Sequence, residues 1–551
     1  MGHAAAHNPG CGQWRARLTR RALLRVLGGG AGLAAARPFL DIANAVASPA
    51  AGLLVVGASF VIKSLDPGRT IESTTEMINH ATYDSLVTFE GEDLKIPRPS
   101  LATDWKVSSD GRAYTFTLRP NVRFASGNPF TSADVKWSLE RVMNLKSSPL
   151  YFVDQVDAVL APDPRTVVIR LKAPQPSIIP ILSSPSLGVL DSKLVTENGG
   201  DAGPDAKNKD TAEPYLNVHS AGSGPYVLTS YVPDQLVVLV RNPNYWRSPA
   251  PIQRIVLRNI TEPATQQLQL EKGDLDIATA LGHDQVQALR GTAQVTIKTS
   301  PVATTFTLMM NRDPDIGGPF ANPKVQQAVR YALDYDGIMA LAGPGAVRLA
   351  GTIPVTMPGA LDPREAFKTD RARARALLKE SGVGEVKGRL TFMVDATVQG
   401  VPYSVLAQKI QADFFAVGIT LELNGLPRVV GLQQYRDGKA QVWFSGWVAD
   451  YPDPSNFLVY LPGRVAGKRA RWLPEASPQA QELARMGDEA EAETNPGKRV
   501  ALLQRVQRTL VEIGPFIPLF QPAIPLAFRS SIHGAMFHSV WGLDFYPITK
   551  A

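Results

Sequence analysis

The chain has 551 residues, and 44% of them are hydrophobic, which is enough for two or three packed units. Its formal net charge is +7, but residues 1–47 contain six arginines and one aspartate, so 7 − 5 leaves about +2 for the rest. Downstream, no run of lysine and arginine alternates with aromatic residues. This composition excludes the usual surface for tracking a nucleic-acid backbone.

The first predicted element is an export signal. Residues 19–25, TRRALLR, match the twin-arginine pattern, with Arg20 and Arg21 as the pair. The apolar run that follows, 26–36, is shorter than the roughly 20 residues that cross a bilayer, and small residues at 45–47 suit cleavage. The only cysteine, Cys11, precedes that run, which argues against a lipid anchor and a disulfide. We therefore expect 1–47 to be a signal peptide read by the twin-arginine translocase, and the mature protein to be soluble in the periplasm.

Strands and helices alternate along the rest of the chain, which predicts a mixed α/β architecture. No later apolar run is long enough to cross a membrane. Predicted strands cover 53–57, 114–118, 166–171, 236–240, 255–258, 295–297, 389–394 and 440–445. Predicted helices cover 323–333, 371–380, 402–416, 478–494 and 496–512, and all but the second begin with a proline suited to a first helical turn.

The segment 444–458, FSGWVADYPDPSNFL, carries the strongest local signal for function. Gly446, Pro452 and Pro454 end regular structure there, so aromatic rings and carboxylates lie on a loop. This pattern predicts a ligand-binding loop. A surface turn with a buried tryptophan fits the same residues.

Sequence blocks along the chain resemble, in order, those of the family 5 extracellular solute-binding proteins, the dipeptide, oligopeptide and nickel group. The blocks include SLDP at 64–67, YDSLV at 83–87, YTFTLRPNVRFASGNPF at 114–130, GPY at 224–226, GDLD at 273–276 and VQQAVRYALD at 325–334. Ala125 and Ser126 replace the commoner His and Asp of that family. The resemblance spans nearly the whole mature chain.

This resemblance implies a two-lobed α/β periplasmic binding protein of type II, cluster C, with an extra subdomain in the first lobe. The implied lobe I core consists of 48–84, 220–300 and 520–551, the extra subdomain of 85–219, and lobe II of 301–519. The implied role is that of a monomeric component of an ABC importer, without a cofactor, that hands a solute to a membrane permease.

The resemblance also implies a set of ligand-binding residues. In peptide-binding members, a carboxylate matching Asp450 pairs with the α-ammonium of the ligand. The residues expected to contact ligand are, in chain order, Ile71, Ser73, Tyr151, Trp447, Val448, Asp450 and Tyr451. Arg348 is a candidate partner for a ligand carboxylate.

Short peptides are the first expectation for the ligand, and opines, glutathione, metal chelates and oligosaccharides remain open. The five histidines after residue 47 show no compact metal-binding spacing, which disfavours a direct metal site. An exported hydrolase is the alternative of another class. The chain has no GxSxG or HExxH motif, and Asp450 and Asp453 lie three residues apart on one loop rather than on two sides of a bond.

Overall fold

Three β-sheets organise the part of the chain that the computed structural model describes, residues 52–398 and 401–551. The first sheet has seven strands, and parallel pairing of Leu53–Ala58 with Ile277–Ala278 sets Val56 opposite Ile277. From edge to edge its strands are Val295–Pro301, Ala523–Arg529, Ile277–Ala278, Leu53–Ala58, Arg254–Asn259, Leu236–Arg241 and Tyr226–Val232.

The second sheet has six strands. Its interior strand Thr304–Met310 is buried along its whole length because it pairs on both edges and packs on both faces. In order, its strands are Val347–Arg348, Phe516–Gln521, Thr304–Met310, Val442–Val448, Val386–Met393 and Ile419–Leu426. Val386–Met393 runs parallel to both of its neighbours.

The third sheet has four antiparallel strands, in the order Ala102–Val107, Ala113–Leu118, Thr166–Leu171 and Val156–Asp163. Alternate residues of Ala113–Leu118 face the core, as expected for a strand with one buried face. Helix Ser132–Leu145 packs beside this sheet, and Thr131 and Asp134 form a capping box at its start. The predicted strand over 114–118 is confirmed.

Several helices begin at a short side chain that caps them. Asn495 accepts a hydrogen bond from the backbone of Lys498, and Pro496 occupies the first turn of Pro496–Ile513. The helices of the described residues are Ser73–Thr82, Ser132–Leu145, Leu150–Val153, Ile178–Ile181, Ser192–Glu197, Ala206–Lys209, Glu213–Leu216, Pro263–Lys272, His283–Leu289, Pro314–Gly317, Pro323–Ala332, Tyr335–Ala342, Arg371–Glu380, Tyr403–Phe415, Arg428–Arg436, Val465–Arg469, Pro478–Ala492 and Pro496–Ile513. None of them combines the length and apolar character needed to cross a membrane.

Short elements complete these described ranges. The 3₁₀ helices are Pro185–Leu187, Gly318–Ala321, Pro363–Glu365, Pro454–Tyr460 and Pro474–Ala476. Two-residue strands pair Val87–Thr88 with Arg98–Pro99, Thr397–Val398 with Val401–Pro402, Ile532–His533 with Thr549–Lys550, and Phe537–His538 with Gly542–Leu543. All eight predicted strands and five predicted helices are present, and Tyr403–Phe415 begins one residue after its predicted proline, Pro402.

The chain passes between the seven-stranded and six-stranded sheets at two adjacent places. Strand Val295–Pro301 of the first sheet is followed by Thr304–Met310 of the second, and Phe516–Gln521 of the second is followed by Ala523–Arg529 of the first. The backbone N–H of Val302 donates to the carbonyl of Pro522 over 3.1 Å, so the two crossings are bonded to each other. The domain boundaries stated above stay a prediction.

Candidate ligand-binding site

A cavity of about 1020 Å³ is lined by residues of both large sheets. Ser59 and Ala280 follow parallel strands of the seven-stranded sheet, whereas Asp395 and Asp450 follow parallel strands of the six-stranded sheet. Val302 lines the cavity beside the crossings. The cavity therefore lies at the carboxyl ends of parallel strands, where open α/β sheets bind ligands.

Asp450 is half-buried on the loop after strand Val442–Val448 and lines this cavity. Asn456 Nδ2 donates to Asp450 Oδ2 over 3.5 Å, and the Tyr151 hydroxyl is within hydrogen-bonding range of the same carboxylate. Burial raises the pKa of Asp450, although both hydrogen bonds lower it. No cationic side chain among residues 52–398 and 401–551 forms an ion pair with Asp450. Such a carboxylate is suited to a cation supplied by the ligand.

Glu76 is a second carboxylate in this region, and the sequence did not reveal it. It lies on helix Ser73–Thr82, is 7% exposed, and accepts hydrogen bonds from the hydroxyls of Ser184 and Ser186. Burial raises the pKa of Glu76 to about 8, and the charge of Asp450 adds to the increase. Within the described ranges Glu76, too, has no cationic partner.

Trp447 and Val448 line the cavity, as their predicted role requires. The indole Nε1 of Trp447 donates to Asn456 Oδ1 over 3.0 Å, so Asn456 joins Trp447 to Asp450. The Val448 side chain is 53% exposed. Together they give the cavity an apolar wall beside its carboxylate.

Tyr451 lies outside the cavity lining. Its ring meets Phe152 edge to face, with 6.1 Å between ring centroids, and its hydroxyl lies 3.2 Å from Ser455 Oγ. It packs against the core of the four-stranded sheet together with Ile71. Both residues therefore pack against this core and do not line the cavity.

Tyr151 and Ser73 take different positions relative to the cavity. Tyr151 reaches Asp450 from the short helix Leu150–Val153, so it contacts the site through that carboxylate. Ser73 is exposed at the first position of helix Ser73–Thr82 and does not line the cavity. The predicted contacts of these residues with ligand stay a prediction.

Asp453 lies three residues from Asp450 but does not line the cavity, and its contacts hold the loop together. It is 3% exposed, and its two oxygens accept from Arg499 over 2.7 and 2.9 Å. Burial raises its pKa, but the Arg499 guanidinium outweighs this and holds the pKa of Asp453 below its usual range. Its side chain also accepts from the backbone of Ser455 and so caps the 3₁₀ helix Pro454–Tyr460.

Three arginines line the cavity in addition: Arg428, Arg436 and Arg469. The first and second lie at the two ends of helix Arg428–Arg436. None of the three forms an ion pair with an acidic side chain in the part of the chain that the structure describes. Sequence reasoning missed Arg428 and Arg436 because that helix was not predicted, and it missed Arg469 because the helix Val465–Arg469 was not predicted.

Arg348 does not line the cavity. Its guanidinium lies 4.0 Å from the ring centroid of Tyr335, and its Nε and Nη2 atoms have no hydrogen-bond partner in the described ranges. Arg20 and Arg21 lie outside the described residues.

The family of the chain follows from its sequence. The model of the bacterial extracellular solute-binding proteins, family 5 Middle, matches residues 97–467, which is well over half of the chain. The chain belongs to this family. The resemblance inferred from sequence blocks is confirmed.

Relatives extend the similarity over most of the chain. A probable D,D-dipeptide-binding periplasmic protein of Escherichia coli is 27% identical over 495 residues, covering 88% of this chain and 92% of the relative. Di/tripeptide-binding protein 2 of Pseudomonas aeruginosa is 26% identical over 512 residues, covering 88% and 92%. A glutathione-binding protein of Salmonella typhi is 26% identical over 509 residues, covering 90% and 93%.

Solved structures share the fold. HbpA2 of Haemophilus parasuis has a TM-score of 0.78 at 20% identity, covering 91% of this chain and all of that one (100%). A dipeptide-binding protein of a Pseudoalteromonas species in complex with Met-Leu has a TM-score of 0.74 at 21% identity, with coverage of 91% and 100%. This family 5 protein therefore has the expected two-lobed α/β fold of periplasmic binding proteins.

Proposed function

We propose that this protein is the periplasmic solute-binding component of an ABC importer, which captures short peptides with a free amino terminus and delivers them to a membrane permease. The observation that carries the proposal is Asp450, a half-buried carboxylate that lines the cavity and has no cationic partner among the described residues. A ligand ammonium would supply the missing cation. The names of the dipeptide-binding and di/tripeptide-binding relatives support the same ligand class.

A peptide suits the geometry of the cavity. An extended peptide can pair its backbone with a strand edge or loop, while one carboxylate fixes its amino end. Water is excluded from such a site, which strengthens the pair of ammonium and carboxylate and penalises a ligand that leaves Asp450 buried and unpaired. Trp447 and Val448 provide apolar contact for the adjoining side chains.

Thermal unfolding of the purified protein with a panel of ligands tests the proposal. Free di- to pentapeptides should raise the unfolding temperature, because a ligand at 100 times its Kd adds about 2.7 kcal/mol of stability. The same peptides with acetylated amino ends should have little effect. Equal stabilisation by both sets contradicts the amine role of Asp450.

The matched variant is Asp450→Asn, which keeps the shape and removes the charge. Breaking a buried pair costs about 3–5 kcal/mol, so we expect free peptides to bind from a hundredfold to a few thousandfold more weakly. Titration calorimetry measures this change. Asp453→Asn, on the same loop but outside the cavity, is the control and should leave the peptide Kd nearly unchanged in the protein that remains folded.

Other solutes remain as alternatives within the same role. Glutathione, opines, oligosaccharides and metal chelates belong in the panel, and one relative is named for glutathione. Stabilisation only by one of these classes would keep the transport role and replace the peptide. Recovery of the ligand unchanged after release separates a binding protein from an exported hydrolase.

A further inference from the structure

One face of helix Arg428–Arg436 is turned toward the cavity. Arg428, Leu432, Tyr435 and Arg436 all line the cavity, and their spacing of four, seven and eight residues places them on one side of a helix. The two arginines are therefore about 12 Å apart along the axis at 1.5 Å per residue. They lie at the two ends of an otherwise uncharged cavity-facing stripe.

Arg469 joins this stripe from another helix, Val465–Arg469. Its guanidinium lies 4.9 Å from the ring centroid of Tyr435 and 5.7 Å from that of Trp447. Tyr435 itself stacks on Trp443 at 5.1 Å, with 6° between ring planes. Aromatic faces and a hydrogen bond to the Tyr435 side chain thus hold the guanidinium in place, while its remaining N–H groups keep their capacity for an anion.

The cavity lining carries charges of both signs. Asp450 lies beside Trp447, whose ring Arg469 also approaches, and Asp395 accepts a hydrogen bond from the backbone N–H of Arg428 over 3.0 Å at the start of the helix. No carboxylate of residues 52–398 or 401–551 pairs with the side chains of the three arginines. Among the described residues, the cavity lining therefore has three cationic side chains without an ion-pair partner against two carboxylates, Asp395 and Asp450.

We propose that Arg428, Arg436 and Arg469 form a subsite for the anionic end of the ligand, so that the cleft selects peptides that have a free amine at one end and more than one carboxylate at the other. This proposal rests on the proposed function, because Asp450 is taken as the amine anchor. Arginine pairs with carboxylates through two parallel N–H donors, and three guanidiniums exceed what a single terminal carboxylate can satisfy. An acidic C-terminal residue supplies the second carboxylate.

The test compares tripeptides that differ only in the charge of their last residue. Ala-Ala-Glu, Ala-Ala-Gln and Ala-Ala-Lys are titrated into the purified protein by calorimetry at two salt concentrations. We expect Ala-Ala-Glu to bind at least about tenfold more tightly than Ala-Ala-Lys, with the gap narrowing at high salt because screening weakens charge pairs. Equal Kd values for the three peptides overturn the proposal and leave the proposed function intact.

Variants assign the effect to the subsite. Arg436→Gln and Arg469→Gln should each reduce the preference for Ala-Ala-Glu over Ala-Ala-Gln by about three- to tenfold. Arg254→Gln is the control, because Arg254 is exposed on the seven-stranded sheet and does not line the cavity. Arg469→Lys retains the charge but not the planar guanidinium. It therefore distinguishes charge attraction to the ligand carboxylate from paired hydrogen bonds to it. An unchanged preference in both glutamine variants overturns the assignment.

N-acetyl-Ala-Ala-Glu distinguishes failure of this inference from failure of the proposed function. Binding of the acetylated acidic peptide as tight as that of the free one, with loss in Arg436→Gln, supports the arginine subsite and contradicts the amine anchor. Equally tight binding of free peptides, whatever their last residue, supports the amine anchor and contradicts the arginine subsite. If no peptide of either kind binds, both proposals are wrong.

Discussion

The backbone N–H of Val302 donates to the carbonyl oxygen of Pro522 over 3.1 Å, and this bond joins the two chain segments that cross between the large sheets. Gln521 reinforces the junction, since its Nε2 donates to the Val302 carbonyl over 2.9 Å. Its Oε1 accepts from the backbone of Val355 over 2.7 Å. Two closely bonded crossings beside the cavity are the place where relative motion of the two sheets would be absorbed.

Gln521→Ala should destabilise the fold. Gln521 is fully buried, and its removal leaves the Val302 carbonyl and the Val355 N–H without these partners. The Val302 carbonyl still accepts from the backbone N–H of Thr304, so the Val355 N–H is the group left unsatisfied. Such a group costs about 1–3 kcal/mol, and we expect a loss of that size in the free energy of unfolding. Urea denaturation measures it. Gln267→Ala removes a half-buried glutamine whose side chain donates to Glu271, and it should change stability by less than about 0.5 kcal/mol.

Glu76→Gln should stabilise the protein at pH 8 and not near pH 4.5. The pKa of Glu76 is raised to about 8 in the folded protein from an ordinary value of 4.5, so the folded state binds more protons than the unfolded state in this interval. The stability that this protonated group contributes is complete below pH 4.5 and is lost as the pH rises through 8. Glutamine cannot ionise, and we expect a gain on the order of 2–4 kcal/mol at pH 8.

Thermal unfolding of wild type and Glu76→Gln across pH 4.5–8.5 checks this expectation. The two melting curves should converge at the acid end and separate as the pH rises. A constant offset at every pH would assign the effect of the substitution to packing around Ser184 and Ser186 instead of to ionisation.

The affinity for a peptide amine should rise as the pH increases from about 6 toward about 8, the pKa of Glu76. Burial raises the pKa of Asp450 and of Glu76, so part of this acidic region is protonated at lower pH, whereas the ligand amine keeps its charge until about pH 8. We expect the Kd of a free tripeptide to fall by about three- to tenfold over this range. Calorimetry in buffers of different ionisation enthalpy counts the released protons, and Glu76→Gln should reduce that number. A flat profile in wild type contradicts the coupling.

Asp450→Asn and Asp453→Asn should change stability in opposite directions. Asp450 is a carboxylate whose pKa burial raises, so a neutral isostere removes a desolvation cost at pH 7. Asp453 balances Arg499, and its neutralisation leaves a buried guanidinium unpaired at a cost of about 3–5 kcal/mol. Denaturant unfolding of the two variants at pH 7 measures both effects. Equal loss of stability would show that Asp450, too, has a structural ion pair.

Sequence alone predicted those features of the fold that depend on neighbouring residues, such as helix starts and loops. Proline and a capping side chain define the start of Pro496–Ile513, and Pro452 and Pro454 place Asp450 on a loop. Glu76 could not be found this way, because its hydroxyl partner Ser186 is 110 residues away. Burial of that carboxylate arises only when the two segments meet.

The direction in which a side chain points was the second property of the candidate site that the sequence could not predict. Tyr451 adjoins Asp450 in sequence, but its ring packs on Phe152, and no local pattern distinguishes that direction from one toward the cavity. Arg428 and Arg436 are eight residues apart, a spacing that places two residues on the same side of a helix. Their meaning depends on which side of helix Arg428–Arg436 faces the cavity, and tertiary packing decides that.

The order of the strands along the chain also constrains when the protein can fold during synthesis. Phe516–Gln521 and Ala523–Arg529 follow all the other strands of the two large sheets in chain order, yet each occupies an interior position in a different sheet. Neither large sheet can be completed before residues 516–529 have been synthesised. Loss of residues 516–529 would consequently remove an interior strand from both large sheets at once.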